Sequence, residues 1–262
     1  MKLTFVCDTI NLIMVNLNMS KYSIVTLNEV PSTNSYALDN MAFLDNGTVI
    51  YTTSQTSGRG RYNRKWMYDN TDNIFMSIVL KPENVSDFPF PNLTQYLSLV
   101  LCRVLEKDFN FNPVIKWPND ILVEGAKISG ILAESQMENN TINGIVLGLG
   151  LNVNMKKDTL ENIDQKATSI FSLMGKYYDC DKIARKICDE FFENYDNFVK
   201  QGFKYIKDEY IQKCFFLGNN IIISENGEKK EYFAQAIDEN GFLTVKDKMN
   251  NVSKIVSGDV LC

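Results

Sequence analysis

Residues 114–134 read VIKWPNDILVEGAKISGILAE, and their pattern decides the fold. Three short apolar runs, 114–117, 121–124 and 128–134, are separated by Pro118-Asn119-Asp120 and by Gly125. Turn residues between such runs mark strands joined closely in sequence. The run 142–151 follows as a nearly continuous apolar strand. Just upstream, Leu93, Tyr96, Leu97, Val100, Leu101, Val104 and Leu105 recur at spacings of three and four, which predicts an amphipathic helix laid on that sheet.

Further toward the N-terminus, residues 21–30 predict a strand. Pro31-Ser32-Thr33-Asn34 then offers a hydroxyl cap to a short helix ending near Met41. Residues 48–54 and 74–80 predict two more strands, with the Gly- and Arg-rich stretch 58–66 between them. Toward the C-terminus, Ile183, Ile187, Phe191, Phe192, Tyr195, Phe198 and Val199 mark a second long amphipathic helix, and a shorter helical stretch lies near 203–213. From Phe215 the character changes to short runs at 220–224, 232–237, 242–245 and 253–256. Glu225-Asn226-Gly227 and Glu239-Asn240-Gly241 punctuate them, and Asn-Gly between apolar runs is a strong hairpin signal. The expectation is an α+β fold: a central sheet covered by helices, with a small β-barrel docked on it.

Composition narrows the chemistry. The chain has 262 residues, with 27 Lys+Arg against 32 Asp+Glu, a formal charge of −5 that speaks against a basic nucleic-acid coat. It contains no histidine, which excludes a Ser-His-Asp or Cys-His relay and a His-ligated zinc. Cys7, Cys102, Cys180, Cys188, Cys214 and Cys262 are scattered with no C-x-x-C pair, the pattern of reduced thiols in a reducing compartment. The first 20 residues make a poor signal peptide, and no run reaches the ~18 apolar residues of a membrane span. These features predict a cytoplasmic protein without membrane contact.

Three clusters carry chemistry. Gly58-Arg59-Gly60-Arg61-Tyr62-Asn63-Arg64-Lys65-Trp66 holds four cations and two glycines that let backbone approach a ligand. Arginine forks there suit phosphate or carboxylate, and Trp66 could stack on a base. The spacing is neither a Rossmann fingerprint nor a P-loop. A solvated basic hairpin or an RNA-contacting loop would carry the same residues. The second cluster is Lys116-Trp117-Pro118-Asn119-Asp120 with Lys127-Ile128-Ser129-Gly130. An ammonium among apolar strand residues is costly unless paired, so either Lys116 pairs with Asp120 or Lys127 points at a ligand anion. The third is Gly148-Leu149-Gly150-Leu151-Asn152-Val153-Asn154, where glycines permit close approach and Asn152 offers an amide, or where a strand end is merely close-packed.

In this order the motifs resemble those of the biotin protein ligases over residues 21–262: Pro-Ser-Thr-Asn at 31–34, Gln55 ahead of Gly-Arg-Gly-Arg at 58–61, Arg-Lys-Trp at 64–66, Lys-Trp-Pro-Asn-Asp at 116–120, Lys-Ile-Ser-Gly-Ile-Leu at 127–132 and Gly-x-Gly-x-Asn at 148–152. The resemblance implies a mixed sheet flanked by helices and a C-terminal SH3-like barrel. The implied boundaries are an extension over 1–20, a catalytic domain over 21–213 and the barrel over 214–262. It implies activation of biotin by ATP with Mg²⁺, and transfer of biotin to a lysine of a biotin carboxyl carrier protein domain.

Biotin would meet Ser32, Thr33, Asn34, Gln55, Gly58, Arg59, Gly60, Arg61, Lys127 and Gly130. The adenylate would meet Arg59, Arg61, Arg64, Trp66, Lys116, Asn119, Lys127 and Asn152, with Trp66 against the adenine. Lys127, Arg61 and Asp120 would be catalytic, Asp120 orienting or deprotonating the acceptor lysine. No metal ligands are implied. Many bacterial relatives carry an N-terminal winged helix-turn-helix that represses transcription. Here only about 20 residues precede the catalytic pattern, so no specific DNA binding is expected, while a homodimer stays open. A lipoate protein ligase, which shares the chemistry, and a non-catalytic nucleotide or RNA binder are the alternatives.

Overall fold

The structure is a computed structural model that describes residues 21–67, 71–83, 88–138, 141–225, 228–256 and 258–261. The extension over 1–20, Cys7, Cys262 and the Asn226-Gly227 turn lie outside them. The strands are β1 (Ser23–Thr26), β2 (Thr48–Thr52), β3 (Gly58–Arg59), β4 (Lys65–Trp66), β5 (Ile74–Leu80), β6 (Val114–Lys116), β7 (Asp120–Val123), β8 (Ala126–Glu138), β9 (Thr141–Leu151), β10 (Asn220–Glu225), β11 (Glu228–Ile237), β12 (Leu243–Lys246), β13 (Val252–Ile255) and β14 (Asp259–Leu261). The helices are α1 (Thr33–Asp39), α2 (Leu93–Phe109), α3 (Lys157–Leu160), α4 (Ile170–Met174), α5 (Cys180–Gln201) and α6 (Lys207–Lys213).

Seven strands form the main sheet in the order β1-β2-β5-β9-β8-β7-β6. Only β1 and β2 run parallel, so the sheet is mixed as expected. The alternation of side chains along a strand gives this sheet two different faces. Ile74, Met76, Ile78 and Leu80 of β5 join Ile145, Leu147, Leu149 and Leu151 of β9 in the large core under α2 and α5. The ring of Tyr96 in α2 stacks on Phe198 of α5 at 4.3 Å between centroids, and its hydroxyl donates to the Phe191 carbonyl at 2.5 Å.

On the opposite face the intervening residues form three rows in register: Phe75–Gly150–Gly130, Ser77–Gly148–Leu132 and Val79–Val146–Glu134. The third row lies under α1, whose Ala37 packs in a second, smaller cluster with Val79 and Val146. α1 starts where the sequence predicts, with the Ser32 hydroxyl accepting from the Ser35 amide at 3.3 Å.

The C-terminal region corrects the expected barrel. β13-β12-β11-β10-β14 form one open antiparallel sheet whose edge strands, β13 and β14, do not pair with each other. The physical reason is where its apolar face goes. Ile221, Ile223, Ala234, Leu243, Val245 and Val260 join the core of the main sheet, so the small sheet buries that face against the rest of the chain instead of against itself. A polar hook reinforces the docking. Asn92 and Gln95, at the start of α2, donate to the carbonyls of Asn240 and Gly241 at 2.8 and 2.7 Å. Gly241 has φ +84°, and a Cβ there would meet both side chains at 2.5 Å, so glycine is required on two counts.

Cys102, Cys180, Cys188 and Cys214 are free and buried. Burial pushes the Cys102 and Cys180 thiols up to about 12. Arg103 of α2 grips Glu209 of α6 through two hydrogen bonds, at 2.8 and 2.5 Å. That bond holds the Glu209 carboxyl below its ordinary value of 4.5. A lowered folded-state value means the pair stabilises the fold above the unfolded value and loses this as pH falls through the folded one. Glu209→Gln is therefore expected to lower the midpoint of urea unfolding at pH 7 and to match the wild type near pH 2–3, checked by denaturant titrations at both values.

Candidate active site

The face of the sheet opposite α2 and α5 is roofed by residues 55–67 and by 162–165, leaving a cleft of about 740 Å³. Its floor is made by the glycines of the third motif. A Cβ on Gly148 would stand 2.1 Å from Asn34 Oδ1, and a Cβ on Gly150 or Gly130 would lie 2.8 or 2.7 Å from the Trp66 indole. Gly148 and Gly150 alternate with Leu147, Leu149 and Leu151, which point into the core, so one strand serves as core on one side and as open floor on the other.

One end of the cleft is polar and uncharged. The Thr33 backbone amide donates to Gln55 Oε1 at 2.8 Å. Asn34 Nδ2 donates to the Leu132 carbonyl at 3.2 Å and to Glu134 Oε2 at 2.8 Å. Ser77 Oγ lies 2.6 Å from Asn34 Oδ1 and 2.7 Å from Thr33 Oγ1. Ser32, Thr33, Asn34, Gln55 and Ser77 are all buried. Paired donors and acceptors in a buried recess suit a neutral, polar, planar ligand head.

The other end is cationic, and its cations are held by carboxylates. Lys127 Nζ lies 2.8 Å from Asp120 Oδ1, and Lys116 Nζ lies 3.9 Å from Asp120 Oδ2. The two sequence readings of these lysines are thus joined: Lys116 faces Asp120, and Lys127 shares that carboxylate while lining the cleft. The Lys127 backbone is clamped by the segment after α3, its amide donating to Lys166 O at 2.9 Å and its carbonyl accepting from Thr168 N at 2.8 Å. Lys127 Nζ also stands 5.2 Å from the centre of the Trp66 ring.

Across the cleft, Arg61 and Arg64 pair with Asp259 of β14 at 2.8 and 2.6 Å, and Arg59 pairs with Glu134 at 2.9 Å. Asn119 is locked in its turn by a bond from its Nδ2 to the Ile131 carbonyl at 2.9 Å, and Arg61 reaches its Oδ1 at 3.4 Å.

Of the residues singled out in the sequence, Ser32, Thr33, Asn34, Gln55, Arg59, Gly60, Arg61, Arg64, Trp66, Lys116, Asn119, Asp120, Lys127 and Gly130 line this one cleft. Gly58 and Asn152 do not. Gly58 packs beneath Gln55 and Trp66 with no room for a Cβ. Asn152 is buried and donates to the Thr168 carbonyl at 3.0 Å, so it supports the segment that clamps Lys127. Sequence reading missed Ser77, Glu134 and Asp259. Ser77 left a signal, as the one hydroxyl in an otherwise apolar strand. Asp259 left none, because its partners are about 200 positions away.

The biotin/lipoate A/B protein ligase family matches residues 27–152. The chain is 30% identical over 218 residues to the bifunctional ligase/repressor BirA of Bacillus spizizenii, covering 82% of this chain and 66% of that protein. It is 26% identical over 222 residues to the biotin–[acetyl-CoA-carboxylase] ligase of Paracoccus denitrificans, covering 82% of this chain and 90% of that one. The solved biotin protein ligase of Aquifex aeolicus, in complex with biotin and ATP, superposes with a TM-score of 0.77 at 26% identity, covering 92% of this chain and 98% of that one. In sequence and in fold the chain is thus similar to biotin protein ligases. It spans just under two thirds of the length of the Bacillus relative.

The packing of Trp66 on the glycine floor is directly testable. Gly150→Ala is expected to lift the indole off the sheet, shifting its emission to longer wavelength in a Trp117→Phe background, with circular dichroism unchanged. An unshifted spectrum would show that the floor has slack.

Proposed function

We propose that the chain is a biotin protein ligase, activating biotin with ATP to biotinyl-5′-AMP and transferring biotin to a lysine of a biotin carboxyl carrier protein domain. The observation that carries the reading is the two-ended cleft. A buried neutral hydrogen-bonding recess (Ser32, Thr33, Asn34, Gln55) lies next to an anion-binding end (Arg59, Arg61, Arg64, Lys116, Lys127) on one glycine floor. A ureido ring with an aliphatic carboxylate tail fits that order of polarity. The dithiolane of lipoate has no N–H or C=O to offer the recess. The carrier domain as acceptor rests on the named activities of the relatives.

In the first step a biotin carboxylate oxygen attacks the α-phosphorus, an O–P bond forms, the bond to the β-phosphate oxygen breaks and pyrophosphate leaves. The nucleophile arrives ionised, so no base is required and the absence of histidine is accommodated. What the protein must supply is positive charge fixed where charge develops. We assign this to Lys127, held by Asp120 and by backbone bonds on both sides, with Arg59, Arg61 and Arg64 on the phosphates and Trp66 beside the adenine. In the second step the acceptor amine attacks the acyl carbon and AMP leaves. Asp120 lies between two ammonium groups, which suits it to hold Lys127 in place and to orient the incoming amine by charge; the amine's proton passes to solvent.

Mg²⁺ is expected with ATP. Among the described residues no group of three or more acidic, cysteine or histidine side chains is placed to hold a metal. That fits an ion carried largely by phosphate oxygens and water, and no step is derived through it. Among the described residues no helix is long and apolar enough to cross a membrane, and we place the reaction in the cytoplasm. We place the catalytic unit over 21–213 and the C-terminal sheet over 214–262.

Pyrophosphate release from the purified protein with MgATP, offered biotin, lipoate or neither, tests the reading. Release with biotin alone, plus biotinyl-AMP detected by mass spectrometry, is the expected result, and release with lipoate alone would overturn the substrate. Lys127→Ala is expected to slow single-turnover adenylation by roughly 10²–10³, the loss typical of removing a preorganised charge donor. An unchanged rate in a folded variant removes Lys127 from that role. Arg61→Gly should open the loop and raise the release rate of the adenylate, read by filter binding of labelled intermediate.

A further inference from the structure

Glu134 belongs to none of the motifs that carry the family resemblance, yet one of its oxygens joins the two functional parts of the cleft. Oε2 accepts from Asn34 Nδ2 at 2.8 Å, on the polar recess, and from Arg59 Nη2 at 2.9 Å, on the basic loop. The residue lies in β8, paired with Val146 of β9, at the outer end of the rows that form the floor. We infer that Glu134 is a positioning residue that couples occupancy of the biotin recess to closure of the loop 58–66. This rests on the biotin ligase reading above.

The argument is one of donors and acceptors. An ionised carboxylate only accepts, so Glu134 requires the Asn34 amide to turn its NH₂ toward β8 and its Oδ1 toward Ser77. Ser77 has a single proton, and Asn34 Oδ1 has none. The Ser77 proton must therefore go to Asn34, and the Thr33 hydroxyl oxygen lies 2.7 Å from Ser77 Oγ and 3.3 Å from Gln55 Oε1. Glu134 and the Leu132 carbonyl, which accepts from the same Asn34 Nδ2 at 3.2 Å, thus fix the orientation of the Asn34 amide and of the Ser77 proton in the recess against which a ureido group is read.

The same oxygen holds Arg59, whose side chain is 43% exposed against 24% for Glu134. A half-exposed ion pair is weak enough to open and close, whereas the Asn34 end is buried over Gly148, where a Cβ would collide with it. A ligand head that draws on Asn34 therefore acts on the carboxylate that holds the loop. Loss of Glu134 leaves one Asn34 hydrogen without its charged partner and frees the loop.

Two measurements on the full chain test this: biotin affinity by calorimetry, and the rate of tryptic cleavage at Arg59, Arg61, Arg64 and Lys65 with and without biotin. In the wild type, biotin is expected to bind and to slow these cuts. Glu134→Ala should raise the Kd roughly 10- to 100-fold, the loss typical of a hydrogen bond to a charged group, and abolish protection at saturating biotin. Glu134→Gln keeps an acceptor for Asn34 but loses the charge. It should hold the Kd within a few-fold while protection is lost, a split that general destabilisation would not produce, and it serves equally if the alanine variant does not fold. A folded Glu134→Ala with wild-type affinity and protection overturns the role of Glu134 alone, as does a Glu134→Gln that keeps both. A wild type that binds no biotin overturns the reading beneath it.

Discussion

The structure depends on one constraint: the central strands β5, β9 and β8 must be closely packed on one face and leave an open floor on part of the other. Period-two alternation is the only local rule that gives a strand two such faces. In β9 it places Leu147, Leu149 and Leu151 in the core and Gly148 and Gly150 on the floor of the cleft. Each missing Cβ leaves space that another side chain enters, Asn34 over Gly148 and Trp66 over Gly150 and Gly130. A one-residue slip of register would put leucines in the cleft and glycines in the core, filling the first and emptying the second. The position of α1, the seat of the basic loop and the polar recess all follow from this register.

The charges around the floor divide by exposure. The Lys127–Asp120 pair has side chains 15% and 12% exposed, and removing one partner of a pair so desolvated leaves an uncompensated charge, typically a loss of about 3–5 kcal/mol. The Arg59–Glu134 pair is far more exposed, where such pairs contribute about 0–1 kcal/mol. Strong pairing therefore lies where the geometry must stay fixed and weak pairing where a loop must move. The Asp259 pairs with Arg61 and Arg64 show a related mixture: Asp259 is buried, Arg61 mostly so, and Arg64 exposed. They tie the C-terminal sheet to the basic loop, which makes that sheet part of the cleft.

Legibility in the sequence followed the range of the interaction. β5 falls where its apolar run predicts, and α2 and α5 extend their predicted stripes by a turn or less, because periodicity is a local signal. The residues that gather in the cleft could be named in advance because each lies in a compact motif, and the family resemblance ordered those motifs. Asn152 differs: its motif ends at the cleft, but the side chain turns away toward Thr168, which local sequence does not encode. Glu134 and Asp259 were invisible because each acquires its role only when strands distant in sequence are brought together. The barrel was over-read from a sound local signal. Alternating runs and Asn-Gly turns specify antiparallel pairing, but closure depends on whether the apolar face finds a partner elsewhere, and here the main core supplies it.

The absence of histidine bears on the kind of catalysis the cleft can support. A site that must generate its own nucleophile needs a base with a value near neutrality. In the proposed adenylation the nucleophile is already a carboxylate, and the barrier lies in bringing it to a polyphosphate of like charge. Fixed cations lower that barrier most when they need not reorganise. Lys127 meets this requirement, since its ammonium is held by Asp120 and its backbone by bonds to Lys166 and Thr168. The remaining carboxylates serve the same end. Each holds a guanidinium near the place where ligand charge would arrive, so arginines that would otherwise sample solvent are already gathered over the glycine floor.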